Sequence, residues 1–365
     1  MTIYPKLIHD ALATVRYPGN GKSIMENEML EDDLRIDGMK VSFSLIFEKE
    51  TDPFKKSVVK AAEAAIKTFV HPDVEVTIGT KAKTSLPHEP DKLLSGVKNI
   101  IAVSSGKGGV GKSTVTANLA IGLAKLGYRV GLLDTDIFGP SMPKMFGVEE
   151  ERPYATKVDG RDLIVPIEKY GVKLLSIGFF VNPDDAILWR GGMASNALKQ
   201  LIADADWGEL DYLILDTPPG TSDIHLTLLQ TLAITGAIIV STPQQVALAD
   251  ARKGIDMYRN EKVNVPILGL VENMAWFTPA ELPENRYYIF GKEGCKQLAE
   301  EMEVPLLAQI PLVQGICDSG DQGTPAALNS DTATGIAFIN LAQSVVTVVN
   351  KRNRELPKTK IVGVK

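Results

Sequence analysis

Residues Gly106-Lys107-Gly108-Gly109-Val110-Gly111-Lys112-Ser113-Thr114 constrain this chain more than any other stretch. They fit the pattern G-x-x-x-x-G-K-[ST]. In that pattern glycines let successive backbone N–H groups turn inward on a polyphosphate, at a helix N-terminus whose dipole already favours an anion. The flanks agree with it. Ile100-Ile101-Ala102-Val103 is a short apolar run of the kind a buried strand carries. Val115, Leu119, Leu123 and Leu126 recur at helical spacing until Gly127 ends the helix. Lys112 is expected against the β- and γ-phosphates, with the Ser113 hydroxyl completing a Mg²⁺ site.

The rest of the chain arranges itself around that loop. Strand candidates at Arg129–Asp134, Val172–Ile177, Tyr212–Asp216, Ala237–Ser241, Ile267–Val271 and Leu306–Ile310 alternate with helical segments. This order predicts an α/β domain over 98–350, a mostly parallel sheet with helices on both faces. An Asp159-Gly160 turn between Lys157-Val158 and Leu163-Ile164-Val165 predicts an antiparallel hairpin. Ala333–Val349 reads as the last long helix, followed by a basic, solvated tail over 351–365.

Residues 1–82 read as a separate small α+β domain, joined by a polar linker over 83–97 that contains Pro87 and Pro90. Leu7, Ile8, Ala11, Leu12 and Val15 make one apolar helix face, ended by Pro18-Gly19. Met29–Ile36 and Lys40–Phe47 flank the hairpin signal Asp37-Gly38, and Val41, Phe43, Leu45 and Phe47 alternate as a half-buried strand does. A helix through Val58, Ala62, Ile66 and Val70 precedes a strand at Val74, Val76 and Ile78.

Leu213-Ile214-Leu215-Asp216 is an apolar strand ending in an acid, followed by Thr217-Pro218-Pro219-Gly220. Downstream of a phosphate loop this is the pattern of a Walker B strand, so Asp216 should face the nucleotide and hold Mg²⁺. Leu132-Leu133-Asp134-Thr135-Asp136 ends another strand at the same edge.

The second lysine of the loop, Lys107, makes the stretch resemble the deviant Walker A loop of the MinD/ParA/Mrp ATPases. That resemblance implies an ATP-binding, slowly hydrolysing homodimer, in which Lys107 reaches across to the partner's nucleotide as an arginine finger does elsewhere. It also implies that Asp136 helps position the attacking water, with Asp134 in support. Asn273, after a strand, would read the adenine edge, and Pro311 would flank the base. Leu198-Lys199-Gln200, Asp206-Trp207-Gly208, Pro218 to Asp223 and Gly320 to Pro325 run in the order of the Mrp/ApbC type, as does Trp189-Arg190-Gly191. The N-terminal domain resembles that of iron–sulfur assembly proteins, although a docking module fits its pattern equally. The implied role is iron–sulfur carriage or assembly, with assembly proteins or apo-protein clients as partners and a [4Fe–4S] cluster as cargo. Alternatives are a ParA/MinD-like switch or an adaptor without a cluster.

Two places depart from that pattern. In the N-terminal domain, Tyr17-Pro18-Gly19 and Glu50-Thr51-Asp52-Pro53 stand where members usually carry Asp-Pro-Glu and a cysteine. Members of the group carry Cys-x-x-Cys shortly after Asn-Met, whereas Pro279 and Leu282 stand near those places. Only Cys295 and Cys317 are present. Cys295 falls on an apolar helix pattern and Cys317 in a polar loop, which makes Cys317 the better iron-ligand candidate. Composition narrows the remaining classes. The net charge of −6 gives no reason to expect nucleic-acid or membrane binding. No apolar run approaches the roughly 20 residues a membrane span needs. Charged residues interrupt Met1–Asn20, which reads as no signal peptide. The expectation is a cytoplasmic protein.

Overall fold

The computed structural model describes residues 3–27, 29–31, 33–47, 52–82, 93–158, 161–180 and 191–363. The chain divides into two compact units, Met1–His88 and Glu89–Lys365.

In the first unit, α1 (Pro5–Leu12), β1 (Arg35–Asp37), β2 (Lys40–Phe47), α2 (Lys55–Phe69) and β3 (Glu75–Ala82) build a three-stranded sheet ordered β1-β2-β3. The alternating residues of β2, Val41, Phe43, Leu45 and Phe47, are buried with Ile8 and Leu12 of α1 and Val58, Ala62 and Ile66 of α2. Of the strand expected over Met29–Ile36, regular pairing is limited to Arg35–Asp37, with Leu30 making an isolated antiparallel bridge to Leu45. Asp33 explains the shortening. Its carboxylate accepts from both the Ser44 backbone N–H (2.8 Å) and the Ser44 hydroxyl (2.6 Å), taking the donor that a paired strand would use. Glu50 and Thr51 lie outside the described residues, as do 83–92 of the expected linker.

The second unit is organised by an eight-stranded sheet. Its strands are β4 (Val97–Ser104), β5 (Val130–Asp134), β8 (Ile167–Lys169), β9 (Val172–Ser176), β10 (Leu210–Asp216), β11 (Gly236–Ser241), β12 (Ile267–Glu272) and β13 (Leu306–Gln309). Their order is β13-β12-β11-β4-β10-β5-β9-β8, with only the edge strand β8 antiparallel to its neighbour. Strand alternation sends Ile101, Val103, Leu132 and Ile214 to one face and Ile100, Ala102, Leu133 and Leu213 to the other. The first face is covered by α3 (Lys112–Lys125), α4 (Met142–Met145) and α10 (Ala333–Glu355). The second is covered by α5 (Gly191–Ala203), α6 (Asp223–Thr231), α7 (Gln245–Arg259) and α8 (Gly294–Glu301). Because both faces are covered, the inner strands β5, β10, β11 and β12 carry near-continuous apolar runs rather than alternating ones.

β6 (Tyr154–Val158) and β7 (Arg161–Val165) form the expected antiparallel hairpin, whose turn residues Asp159-Gly160 lie outside the described residues. Two expectations change. Cys317 does not sit in a loop but on α9 (Gln314–Asp321). The last helix continues past 350 to Glu355, where Arg352 is buried; the segment after it keeps mostly exposed side chains and is tied back where the Val362 N–H donates to Leu229 O at 3.0 Å. By length and composition α10 is apolar enough to cross a membrane, contrary to the sequence expectation. Phe338, Leu341, Ala342, Val345 and Val349 instead bury one side of it in the core, where it lies so close to α3 that a Cβ on Gly122 would stand 3.0 Å from that of Ala342.

Candidate functional site

The site lies at the carboxyl ends of the parallel strands, around β4 and its neighbours β10 and β11. This edge is where open α/β sheets bind ligands, because loops and helix N-termini converge there. The backbone leaves β4 through Ser105 and enters α3 at Lys112. Gly109 and Gly111 have φ of +81° and +79°, which side-chain-bearing residues rarely adopt. Two loop glycines are also closed to any Cβ: at Gly106 it would run into the Asp250 backbone, and at Gly111 into the Asn273 amide. At Gly108 and Gly109 nothing lies within 4 Å of where a Cβ would be, so the loop opens there on a cradle.

Beside that cradle three side chains converge on Asp216, which is fully buried. The Lys112 ammonium is 2.7 Å from its Oδ2, the Ser113 hydroxyl donates to Oδ2 at 2.7 Å, and the Thr116 hydroxyl donates to Oδ1 at 2.7 Å. Lys112 is only 6% exposed, so this is a buried ion pair. Ser113 Oγ and the Asp216 carboxylate are hard oxygen donors in hydrogen-bond contact, the donor set that suits Mg²⁺ with water completing its octahedron.

Asp134 is buried beside them. It accepts from Ser176 Oγ (3.0 Å) and from the backbone N–H groups of Asp136 (3.1 Å) and Met142 (3.3 Å), and so folds the segment between β5 and α4 over the strand ends. Burial, with the Asp216 carboxylate adding to it, pushes its pKa up to about 7. Burial likewise raises that of Asp136, against the pull of the Lys112 ammonium. The sign of the consequence is definite. An acid whose folded pKa is raised contributes stability that is present at low pH and lost as pH rises through the folded value. Stability measured relative to Asp134→Asn should therefore fall between about pH 4 and 7. His225 works in the opposite sense, since burial lowers it to about 4, so the difference between the two proteins is the readout. A wild type that gained stability relative to the variant over that window would contradict this.

Asn273 follows β12, and its Nδ2 donates to Val110 O at 2.9 Å, tying the strand end to the phosphate loop. Met274, with φ of +54°, turns the chain there. A cavity of about 430 Å³ opens beside the loop, lined by Gly111, Thr114, Asn273, Pro311 and Cys317 among others. The sequence-named residues are thus gathered at one edge of the sheet. Lys107 is half-buried on the rim, its carbonyl accepting from Ser105 Oγ at 3.0 Å.

Three residues of this region were not named for it from sequence: Thr116 and Ser176, which bond the two buried acids, and His225. His225 is buried on α6, where its Nδ1 accepts from the Ser222 backbone N–H at 3.2 Å and its Nε2 faces Ser104 Oγ at 3.3 Å. That pair, with Gly220 N–H donating to Ser105 O (2.8 Å) and Thr217 N–H to Val103 O (3.1 Å), fastens the segment after β10 to the root of the phosphate loop. The signal was Ser222 followed three residues later by a hydrogen-bonding side chain, the spacing of a capping box.

The cysteines stand apart. Cys295 is buried, its thiol pushed well above the ordinary range by burial and by the neighbouring Glu272 carboxylate. Cys317 is exposed, with Asp321 Oδ2 4.0 Å from its sulfur. Among the described residues no three His, Cys, Asp or Glu side chains group as a metal site.

A glycine cradle at a helix N-terminus, an adjoining lysine and serine, and a buried strand-end acid on a parallel sheet define a P-loop NTPase. Residues 96–346 match the family described as "ParA: NUBPL iron-transfer P-loop NTPase", and residues 6–78 match "FeS_assembly_P: Iron-sulfur cluster assembly protein". The chain belongs to this iron-transfer P-loop NTPase family. It is 40% identical over 352 residues to an iron-sulfur cluster carrier protein of Synechocystis sp., covering 94% of this chain and 98% of that one. A carrier protein of Escherichia coli (strain K12) is 50% identical over 236 residues, 65% of this chain and 62% of its own. Among solved structures, the nucleotide-binding protein of Archaeoglobus fulgidus in complex with ADP superposes with a TM-score of 0.56 at 38% identity, covering 64% of this chain and 90% of that one.

Proposed function

We propose that this protein binds ATP with Mg²⁺ and hydrolyses it slowly as an ATP-bridged homodimer serving iron–sulfur cluster carriage or assembly. The observation that carries the nucleotide half is the convergence of Lys112, Ser113 and Thr116 on buried Asp216 beside the open glycine cradle. In this reading Gly106 to Thr114 wrap the phosphates, Ser113 and Asp216 hold Mg²⁺, Asp136 orients the attacking water, and Asn273 and Pro311 border the base. The partners are a second copy of the chain and iron–sulfur assembly proteins or their clients. The names of the relatives and the assembly-type N-terminal unit support the cluster half. Both cysteines are free, which suits a reducing, cytoplasmic setting.

A specific observation favours a second reading, an ATP-driven adaptor that holds no cluster of its own. The segment after Asn273-Met274 presents Pro279 and an exposed Leu282 where a thiolate pair would be needed, and the described residues offer no alternative metal group. Two Cys317 thiols from two protomers fall short of the four that thiolate clusters use. Anaerobic reconstitution with iron and sulfide is therefore expected to leave little stable iron on the wild type. About four irons per dimer would refute the adaptor reading. Their loss in Cys317→Ser would identify that thiol as a ligand.

A further inference from the structure

At the sheet edge opposite the phosphate loop, the segment after α10 and the loop between α7 and β12 enclose a cavity of about 520 Å³. Every charged residue lining it is cationic: Lys262, Arg352, Lys358 and Lys360. Glu261 and Glu355 adjoin these residues in the chain, yet neither lines the cavity nor makes an ion pair with a described residue.

Arg352 is the unusual member. It is only 8% exposed, and its guanidinium donates to neutral acceptors: Pro357 O (2.7 Å), Thr359 Oγ1 (2.8 Å) and Asn353 Oδ1 (3.2 Å). Its Nε–H is buried with no partner, and no described carboxylate pairs with it. Those three bonds explain how Arg352 holds the terminal segment. They do not explain a buried, permanently charged group left without a countercharge, nor three lysines gathered around it. A buried charge of this kind is costly unless an opposite charge meets it. The negative end of α10 answers part of that demand, since Arg352 lies in the helix's last turn, but a helix end carries only about half a unit charge.

We propose that this cavity binds a phosphate group, free or esterified, with the cationic group of Arg352, Lys358, Lys360 and Lys262 supplying the countercharge. Leu356, Ile361 and Val362 also line it, so an anion borne on an organic body would find apolar contact as well. The site is separate from the nucleotide site because β12 begins here, at Ile267, and ends at the other edge beside Asn273.

The test uses the full chain saturated with Mg²⁺·ADP, so that the phosphate loop is already filled. Inorganic phosphate and phenyl phosphate are titrated separately at ionic strength fixed with KCl, followed by calorimetry and thermal unfolding. Saturable binding with a matching rise in unfolding temperature is expected. Lys358→Ala/Lys360→Ala, both exposed side chains, should weaken it about tenfold, the scale of two screened surface charge contacts, while ADP affinity stays unchanged. Tighter binding of phenyl phosphate would assign the ligand to phosphate esters, and equal binding to free phosphate. Absence of saturable binding, or equal binding in the double variant, would overturn the proposal.

Discussion

Lys112→Ala is expected to lower ATP turnover by about 10²–10³-fold, the usual consequence of removing one preorganised group from a developing anion. The magnitude follows from where the ammonium sits. Lys112 opens α3 at the base of the cradle, buried to 6% exposure and 2.7 Å from Asp216. Few waters compete with it, so its charge acts through a low effective dielectric. The same variant should also lose stability. Without the ammonium, Asp216 and Asp134 are buried carboxylates with no cation in contact, and breaking a buried pair from one side typically costs about 3–5 kcal/mol. Steady-state turnover at saturating ATP and Mg²⁺, with unfolding followed in parallel, checks both parts. Unchanged turnover would remove Lys112 from the chemistry altogether.

That dual dependence shows why parts of this site were legible in sequence and parts were not. The phosphate loop was readable because its constraints are local: Gly109 and Gly111 need positive φ, and lysine and serine follow at once. Asp216 was readable because four apolar residues and an acid downstream of such a loop have few other uses. The contacts that hold these residues in place are not local. Ser176 reaches Asp134 across 42 positions, and Ser104 meets His225 across 121, with no periodicity to announce either. The helix carrying Cys317 was hidden for a different reason. Gln314–Asp321 contains two glycines, a serine and two aspartates, all poor helix formers, and tertiary packing overrides that propensity. Its partner is α4, and beyond its end Gly323 lies so close to Gly147 that a Cβ on Gly323 would run into the Gly147 backbone. The short β1 has a similar explanation, since one carboxylate, Asp33, took over the backbone donor that the alternating pattern promised to a longer strand.

The other lysine of the loop gives the second large effect. Lys107→Ala is expected to leave ATP affinity nearly unchanged and to lower turnover by about 10³-fold, the lower end of what a cation supplied in trans contributes to phosphoryl transfer. Within one protomer the phosphates already have a buried cation in Lys112. Lys107 is placed differently: it is half-buried on the rim, between two glycines, and among the described residues its ammonium makes no ion pair. A rim cation of this kind adds little to binding in its own pocket, because solvent screens it. Its charge gains strength only when a second surface closes over it and removes that water, as a second copy of the chain facing this edge would do. Turnover should then rise with protein concentration in the wild type and lose that dependence in Lys107→Ala. ATP-induced dimerisation followed by light scattering should weaken in step. If ATP affinity instead fell in proportion to turnover, Lys107 would belong to its own protomer's phosphate site and the trans assignment would fail.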